Sequence, residues 1–386
     1  MEQPLPFALP DVGDAEIEAV TNAIRSGWVS TGPLTRQFEE KFAEALGNGL
    51  EAVAVSSATA GLHLALEAIG VGPGDEVLVP TWTFTATAEV VRYLGAEPVL
   101  IDVEHESLNV DLDQAAQRVS DRTKAIMPVH FAGRPVDYRK LADFAATNGL
   151  EVVEDAAHAF PASSATDRVG GGDSAATVFS FYATKTMTTG EGGMLVTRRP
   201  EVARRARTMR LHGISRDAFD RYRSTGSPWR YEVVAPGYKY NLTDPASAMG
   251  LVQLRRAESM RLRRESISAR YTEAFTGLGL ELPTEQADGK HAWHLYVVRC
   301  ADEATRDCFI SGLSARGVGT SVHFIPLHLQ PYWRERGGYT PDDFLVASRE
   351  FGRVVSLPIF SAMTDGQVER VIQAVQEVHG GLCPSE

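Results

Sequence analysis

Residues 151–160 read EVVEDAAHAF and residues 177–197 read TVFSFYATKTMTTGEGGMLVT, with a polar, glycine-rich passage between them. In the first stretch the β-prone stub Val152-Val153 runs into a carboxylate, Asp155. In the second the apolar stub Val178-Phe179 runs toward a lysine, Lys185. In an open α/β sheet, ligands sit in the crevice outside the carboxyl ends of the strands, so polar groups that end two strands can converge on one small molecule. The pair therefore points to an α/β sheet with a ligand site at its carboxyl edge.

Upstream, residues 52–55 form a short apolar strand that enters Ser56-Ser57-Ala58-Thr59-Ala60-Gly61, after which Leu62, Leu66 and Ile69 mark a helix. Unpaired backbone N–H groups and the positive end of the helix dipole make such a start an anion cradle, and small residues let a phosphate approach. An ordinary serine N-cap has the same sequence signature. The alternation continues with strands at 76–79, 98–102, 125–129 and 151–153, separated by helices from Ala86, near 112–119 and from Tyr138. That order argues a largely parallel sheet covered by helices on both faces. Before it, residues 11–26 carry Ile17, Val20 and Ile24 at helical spacing. The loop GWVSTGP (27–33) then leads to a second helix over 34–46.

After Val196 the pattern changes. Residues 211–240 are polar and rich in arginine and aromatics, a length of loop that is usually functional or buried at an interface. Helices over 244–274, strands at 294–299 and 320–324 and a last helix over 365–378 suggest a smaller α+β domain. We expect a large α/β domain over 11–255 and a small α+β domain over 256–386 together with 1–10.

A chain of 386 residues favours two packed units. The 44% hydrophobic and 23% charged content is that of a globular protein. A net charge of −12 and a pI near 5.4 argue against a nucleic-acid surface. Cys300, Cys308 and Cys383 are too few for a disulfide framework and lack zinc spacing, which suggests a reducing compartment. The first twenty residues lack a basic region followed by an apolar run, and no stretch approaches the ~18 apolar residues of a membrane span. The expectation is a cytoplasmic protein with no membrane or nucleic-acid partner.

The residue types fit pyridoxal 5'-phosphate. That cofactor carries its own electron sink and asks few groups of a protein. It needs a lysine to hold the aldehyde and shuttle a proton, a carboxylate for the pyridine nitrogen, a phosphate cup and an aromatic ring over the pyridine face. Lys185, Asp155, the 57–59 loop with Ser180, and an aromatic of the Trp82/Phe84 pair supply the four kinds. Each has a plainer use: a surface lysine, a helix cap, core rings. Their joint occurrence in order is what carries the reading.

VVEDAAHA, FSFYATKTMTTGEGGMLVT, SSATAGLHLAL and GYKYNLTDPASAMGLVQL together resemble the DegT/DnrJ/EryC1/StrS family of sugar aminotransferases, over about residues 6–378. The resemblance implies the PLP-dependent fold type I, with a mostly parallel seven-stranded sheet flanked by helices in the large domain. It implies Lys185 as the Schiff-base lysine, Asp155 on the pyridine nitrogen, and His158 near the phenolic oxygen where many relatives have glutamine. Ala58, Thr59 and Ser180 would hold the phosphate, and Phe84 would stack on the ring with Trp82 in reserve. Asn241 would reach the phosphate from the other subunit of a homodimer with shared active sites.

The implied chemistry has two halves. L-glutamate leaves its amine on the cofactor as pyridoxamine phosphate and departs as 2-oxoglutarate, and a nucleotide-linked keto sugar (TDP or UDP) then takes the amine. LHGISRDAFDR, GYKYNLTD, KHAWHLYVVR and GVGTSVHF are most similar to relatives that aminate C4 of nucleotide-linked 4-keto sugars, including the 4-keto-pentose enzyme of lipid A modification. His323, Tyr182 and Trp28 are the residues expected at the sugar, and no metal is required. The alternatives are amination of a C3 keto sugar or a keto-cyclitol, and, more distantly, a non-catalytic cofactor-binding regulator. A sugar dehydratase is disfavoured, because those relatives replace the lysine with histidine or carry an iron-sulfur cluster, and the three cysteines are scattered.

Overall fold

Seven strand-length runs with buried β-branched residues set the frame. In β2 (Glu76–Pro80) all five residues are buried, as expected for a strand covered on both faces. It lies in a seven-stranded sheet with β1 (Glu51–Val55), β3 (Glu97–Ile101), β4 (Thr123–Ile126), β5 (Glu151–Asp155), β6 (Ala176–Ser180) and β7 (Gly193–Thr197), in the order β1-β7-β6-β5-β4-β2-β3. Six strands share one direction, and β7 runs antiparallel to both β1 and β6. The computed structural model describes residues 3–165, 167–215, 231–284 and 288–380. Among them, no helix is long and apolar enough to cross a membrane.

The strand order explains where the ligand site falls. β1 lies at one edge and β2 beside the other, so the connecting helix α3 (Ala58–Ala68) must cross the sheet face. It crosses very close. A Cβ built on Gly61 would stand 2.6 Å from Val178 Cγ1 of β6, a separation no real side chain tolerates. The start of α3 is thereby delivered beside the carboxyl ends of β5 and β6.

A 32-residue helix, Asp244–Phe275, links this layer to a second core. Near its start it packs on α1 (Asp14–Arg25) and α2 (Pro33–Leu46), where Gly250 leaves room for the Phe38 ring. Toward its end Ile267, Tyr271 and Phe275 join Leu5 and the buried residues of β8 (Tyr296–Arg299) and β9 (Val354–Leu357), an antiparallel pair covered by helices Glu303–Ala315 and Asp365–Gly380.

Several sequence expectations shift. The strand expected over 125–129 spans Thr123–Ile126, and Pro128 supplies no N–H to prolong it. The strand expected over 320–324 is absent: Ser321 makes one isolated bridge to Ser356, and the chain turns so that His323 and Phe324 face the cavity described below. Much of the polar 211–240 stretch, residues 216–230, lies outside the described residues. Its flanks meet through isolated bridges between Leu211 and Lys239 and between Ile214 and Val233.

Candidate active site

A cavity of about 560 Å³ opens at the carboxyl ends of β1, β5 and β6, within the usual size of a cofactor or small-ligand site. Lys185, Asp155, His158, Ala58, Thr59, Ser180, Phe84, Tyr182 and His323 all line it. Trp28 and Asn241 do not. Asn241 Nδ2 donates to Thr31 Oγ1 at 2.7 Å, and Trp28 Nε1 donates to the Thr31 carbonyl at 2.9 Å, so both gather around one residue outside this cavity.

Asp155 is the last residue of β5 and is buried. Its Oδ2 accepts from the Thr87 hydroxyl at 2.8 Å and its Oδ1 from the Ala157 N–H at 3.1 Å. Burial pushes its pKa up, opposed by those two donors and by the charge of Lys185. Neutral donors alone leave a buried carboxylate incompletely compensated, which suits a cationic ligand group. The pleat turns the preceding residue the other way. Glu154 is satisfied behind the sheet by His130 Nε2 (2.7 Å), Tyr138 (2.6 Å) and Thr177 (3.0 Å). His130 Nδ1 accepts the Val136 N–H at 3.1 Å, so its proton sits on Nε2, toward Glu154.

Lys185 hangs from the tight connection between β6 and β7. Its N–H donates to the Tyr182 carbonyl (2.9 Å), the Thr189 N–H and the Thr188 hydroxyl both return to Phe181 O (3.0 Å each), and Gly190 N–H donates to Thr188 Oγ1 (2.9 Å). Thr188 and Thr189 thus spend their hydroxyls on fixing the loop. Burial lowers the Lys185 pKa to about 8; Asp155 opposes the shift and Arg264 reinforces it. The free amine is the reactive form with an aldehyde. The rate at which the cofactor-free protein captures pyridoxal phosphate, followed by absorbance, is therefore expected to rise with pH through a midpoint near 8. A midpoint near the ordinary lysine value would contradict this environment.

At the start of α3, Ser57 is the N-cap, accepting the Ala60 N–H at 3.1 Å. The Ala58 and Thr59 N–H groups have no acceptor within the helix and belong to residues lining the cavity. Ser57 meets the serine-cap reading, and the two open N–H groups beside it are what an anion cradle requires. Gly193 of β7 makes this possible: a Cβ there would lie 2.7 Å from Ser57 C and 2.8 Å from Ala58 N. Gly193→Ala is expected to displace the helix start, costing about 1–3 kcal/mol of stability and weakening pyridoxal phosphate binding more than tenfold, as read by thermal melts and equilibrium titration. Unchanged cofactor affinity would remove the helix start from the site.

Two aromatic groups flank the site differently. Phe84 is exposed at the cavity, 6.2 Å from the Phe324 ring, whereas Trp82 is fully buried edge-on to Phe131 and does not line it. The His158 ring lies 4.3 Å from that of His294, a residue the sequence reading passed over, and is tilted to it by 39°. Nδ1 of each is buried without a partner among the described residues. Burial and the nearby cationic groups hold both well below the usual imidazole range, and His323 falls to about 4 chiefly by burial. Thr87 was also missed; its signal was the T-x-x-x-T spacing with Thr83, whose hydroxyl lies 2.7 Å from its own. Phe7 and Ile359 reach the cavity from distant segments with no local signal.

The crevice, its lysine and its buried carboxylate define the pyridoxal-phosphate class of α/β enzymes. Residues 10–376 match the model of the DegT/DnrJ/EryC1/StrS aminotransferase family, and the chain belongs to that family. It is 46% identical over 383 residues to the spore coat polysaccharide biosynthesis protein SpsC of Bacillus subtilis, covering 98% of this chain and 97% of SpsC. Among solved structures it is similar to Spr1654 of Streptococcus pneumoniae in its PMP-form, with 32% identity and a TM-score of 0.89 over 97% of this chain and 99% of that one. It is also similar to DesV of S. venezuelae in complex with a ketimine intermediate, with 33% identity and a TM-score of 0.87 over 98% and 100%.

Proposed function

We propose that this protein moves an amino group from L-glutamate to the C4 keto group of a nucleotide-linked keto-deoxy sugar. The coarser statement follows from the family: the chain is a pyridoxal-phosphate-dependent sugar aminotransferase. The observation that carries the reading is the convergence of Lys185, Asp155 and the open N–H groups of α3 on one cavity.

The residues fit the cofactor. The start of α3 with Ser180 offers donors to a phosphate, the incompletely compensated Asp155 suits a protonated ring nitrogen, and the Nδ1 atoms of His158 and His294, orphaned among the described residues, leave polar capacity unspent. Pyridoxal phosphate, when bound, supplies the electron sink for cleaving the substrate C–H bond. Lys185 takes and returns that proton at Nζ, which its lowered pKa favours near neutral pH. Asp155 would keep the ring nitrogen protonated, Phe84 would cover the ring, and His158 would serve the phenolic oxygen. Tyr182 and His323 face the sugar.

Trp28 and Asn241 are assigned to the neighbouring site of a homodimer. Support comes from their shared anchorage on Thr31 outside this cavity, and from α1, which exposes Ile17 and Ile24 while burying Glu16. Placement in the cytoplasm accords with the reading. The C4 assignment rests on the likeness of the 211–221, 238–244, 290–299 and 317–324 stretches to C4-aminating relatives.

The test is mass spectrometry of products after mixing the protein with pyridoxal phosphate, L-glutamate and a panel of nucleotide-linked 4-keto and 3-keto sugars. A 4-amino sugar is expected. Amination of a 3-keto sugar alone would overturn the carbon assignment. Conversion of glutamate with no sugar product would bring the keto-cyclitol forward.

A further inference from the structure

The long helix Asp244–Phe275 carries an arginine, Arg264, that is only 2% exposed. Buried guanidinium groups ordinarily sit against carboxylates. Arg264 does not: among the described residues no carboxylate forms an ion pair with it. Asp11, the acid whose field it feels, is already paired with Arg256 at 2.6 Å. Its Nη1 instead donates to three backbone carbonyls, those of Trp293 (3.3 Å), His294 (3.3 Å) and Ile359 (2.7 Å), and its Nε has no partner among the described residues.

Two of those carbonyls belong to the cavity wall. His294 and Ile359 line the cavity, Trp293 immediately precedes His294, and the His294 ring lies tilted against that of His158. Trp293 has φ of 49°, a left-handed backbone that a bulky side chain adopts only when its surroundings enforce it. One cation thus holds a strained turn and a separate segment together beside Lys185.

We infer that Arg264 is a positioning residue of the active site: it clamps the Trp293–His294 turn and Ile359 into the cavity wall and supplies a fixed positive charge behind it. The clamp aligns His294 against His158. The charge disfavours a second cation nearby, so it biases Lys185 toward the free amine. The other ionisable groups around Lys185 are Asp155 from β5, His158 after it, His294, His323, and the cavity residues Tyr182 and Glu191. Asp155 opposes Arg264 in this, and both must be intact for the balance to hold.

The test uses the full chain and two substitutions, Arg264→Met and Arg264→Lys, with pyridoxal phosphate as the probe. In Arg264→Met the pH midpoint of cofactor capture is expected to rise by on the order of half a unit or more, because a like charge has been removed. In Arg264→Lys the midpoint is expected to stay at the wild-type value while sugar KM rises, since one ammonium cannot hold three carbonyls in the guanidinium geometry. A lower melting temperature with unmoved midpoint in Arg264→Met would make the residue merely stabilising and overturn the assignment. If that variant does not fold, Arg264→Lys decides: wild-type KM and kcat would sink the clamp. The capture readout involves no sugar, so it is independent of the C4 reading. Failure of the wild-type protein to capture the cofactor would instead overturn the proposed function.

Discussion

Lys185→Ala is expected to lower turnover by about 10⁴-fold or more while leaving the fold intact. Lys185 is the one amine among the described residues lining the cavity, so no neighbour can replace it in holding the aldehyde or carrying the proton. Its backbone hydrogen bond to Tyr182 and the threonine contacts of the loop do not use the side chain, which is why the loop survives the substitution. The measurement pairs rate with attachment. Borohydride reduction of the wild-type protein with pyridoxal phosphate should label the peptide containing Lys185, and the variant should take up cofactor without covalent label. Label on another lysine, or retained turnover, would refute the assignment.

Asp155→Asn is expected to cost about 10²–10³-fold in kcat, the usual scale for removing one preorganised electrostatic partner. Asparagine keeps the shape and can accept one donor. Thr87 can then receive the amide N–H and pass its own proton toward Thr83, so little hydrogen bonding is lost. What disappears is the negative charge. The stability consequence runs the other way. The carboxyl pKa of Asp155 is raised in the folded state, so whatever stability its protonated form contributes is present at low pH and lost as pH rises through that value. At pH 7 the cofactor-free protein bears the cost of a buried carboxylate, and the asparagine variant should melt no lower than wild type. A large fall in kcat with an unchanged or higher melting temperature is the expected pair of results. A wild-type rate would remove Asp155 from the reaction.

Local signals carried far for the groups that belong to contiguous motifs. Asp155 follows two β-branched residues, and Lys185 lies among threonines and glycines whose only economical use is a fixed loop. Ser57 announces a helix start by the same chemistry that leaves the next N–H groups open. Phe84 and Trp82, by contrast, are two residues apart in one strand-to-helix turn, and composition alone could not say which ring reaches the cavity. Burial decides it: Trp82 is enclosed against Phe131, and Phe84 is left at the mouth. His294 and Arg264 were illegible because each looks ordinary where it stands, one in an apolar segment and the other in a helix rich in arginine.

The amino-acid sequence by itself determined the strand-helix alternation, the carboxyl-edge location of the site, and the lysine and carboxylate at its centre, because periodicity and turn chemistry act over a few residues. Tertiary structure alone decided which distant segments complete the wall. It set Phe7, His294 and Ile359 around Lys185, and it closed Gly61 and Gly193 against neighbouring backbone and side chains so that the start of α3 reaches the cavity. It also set the electrostatics, since burial is what chiefly lowers the lysine toward neutral pH, with an arginine remote in sequence adding to it.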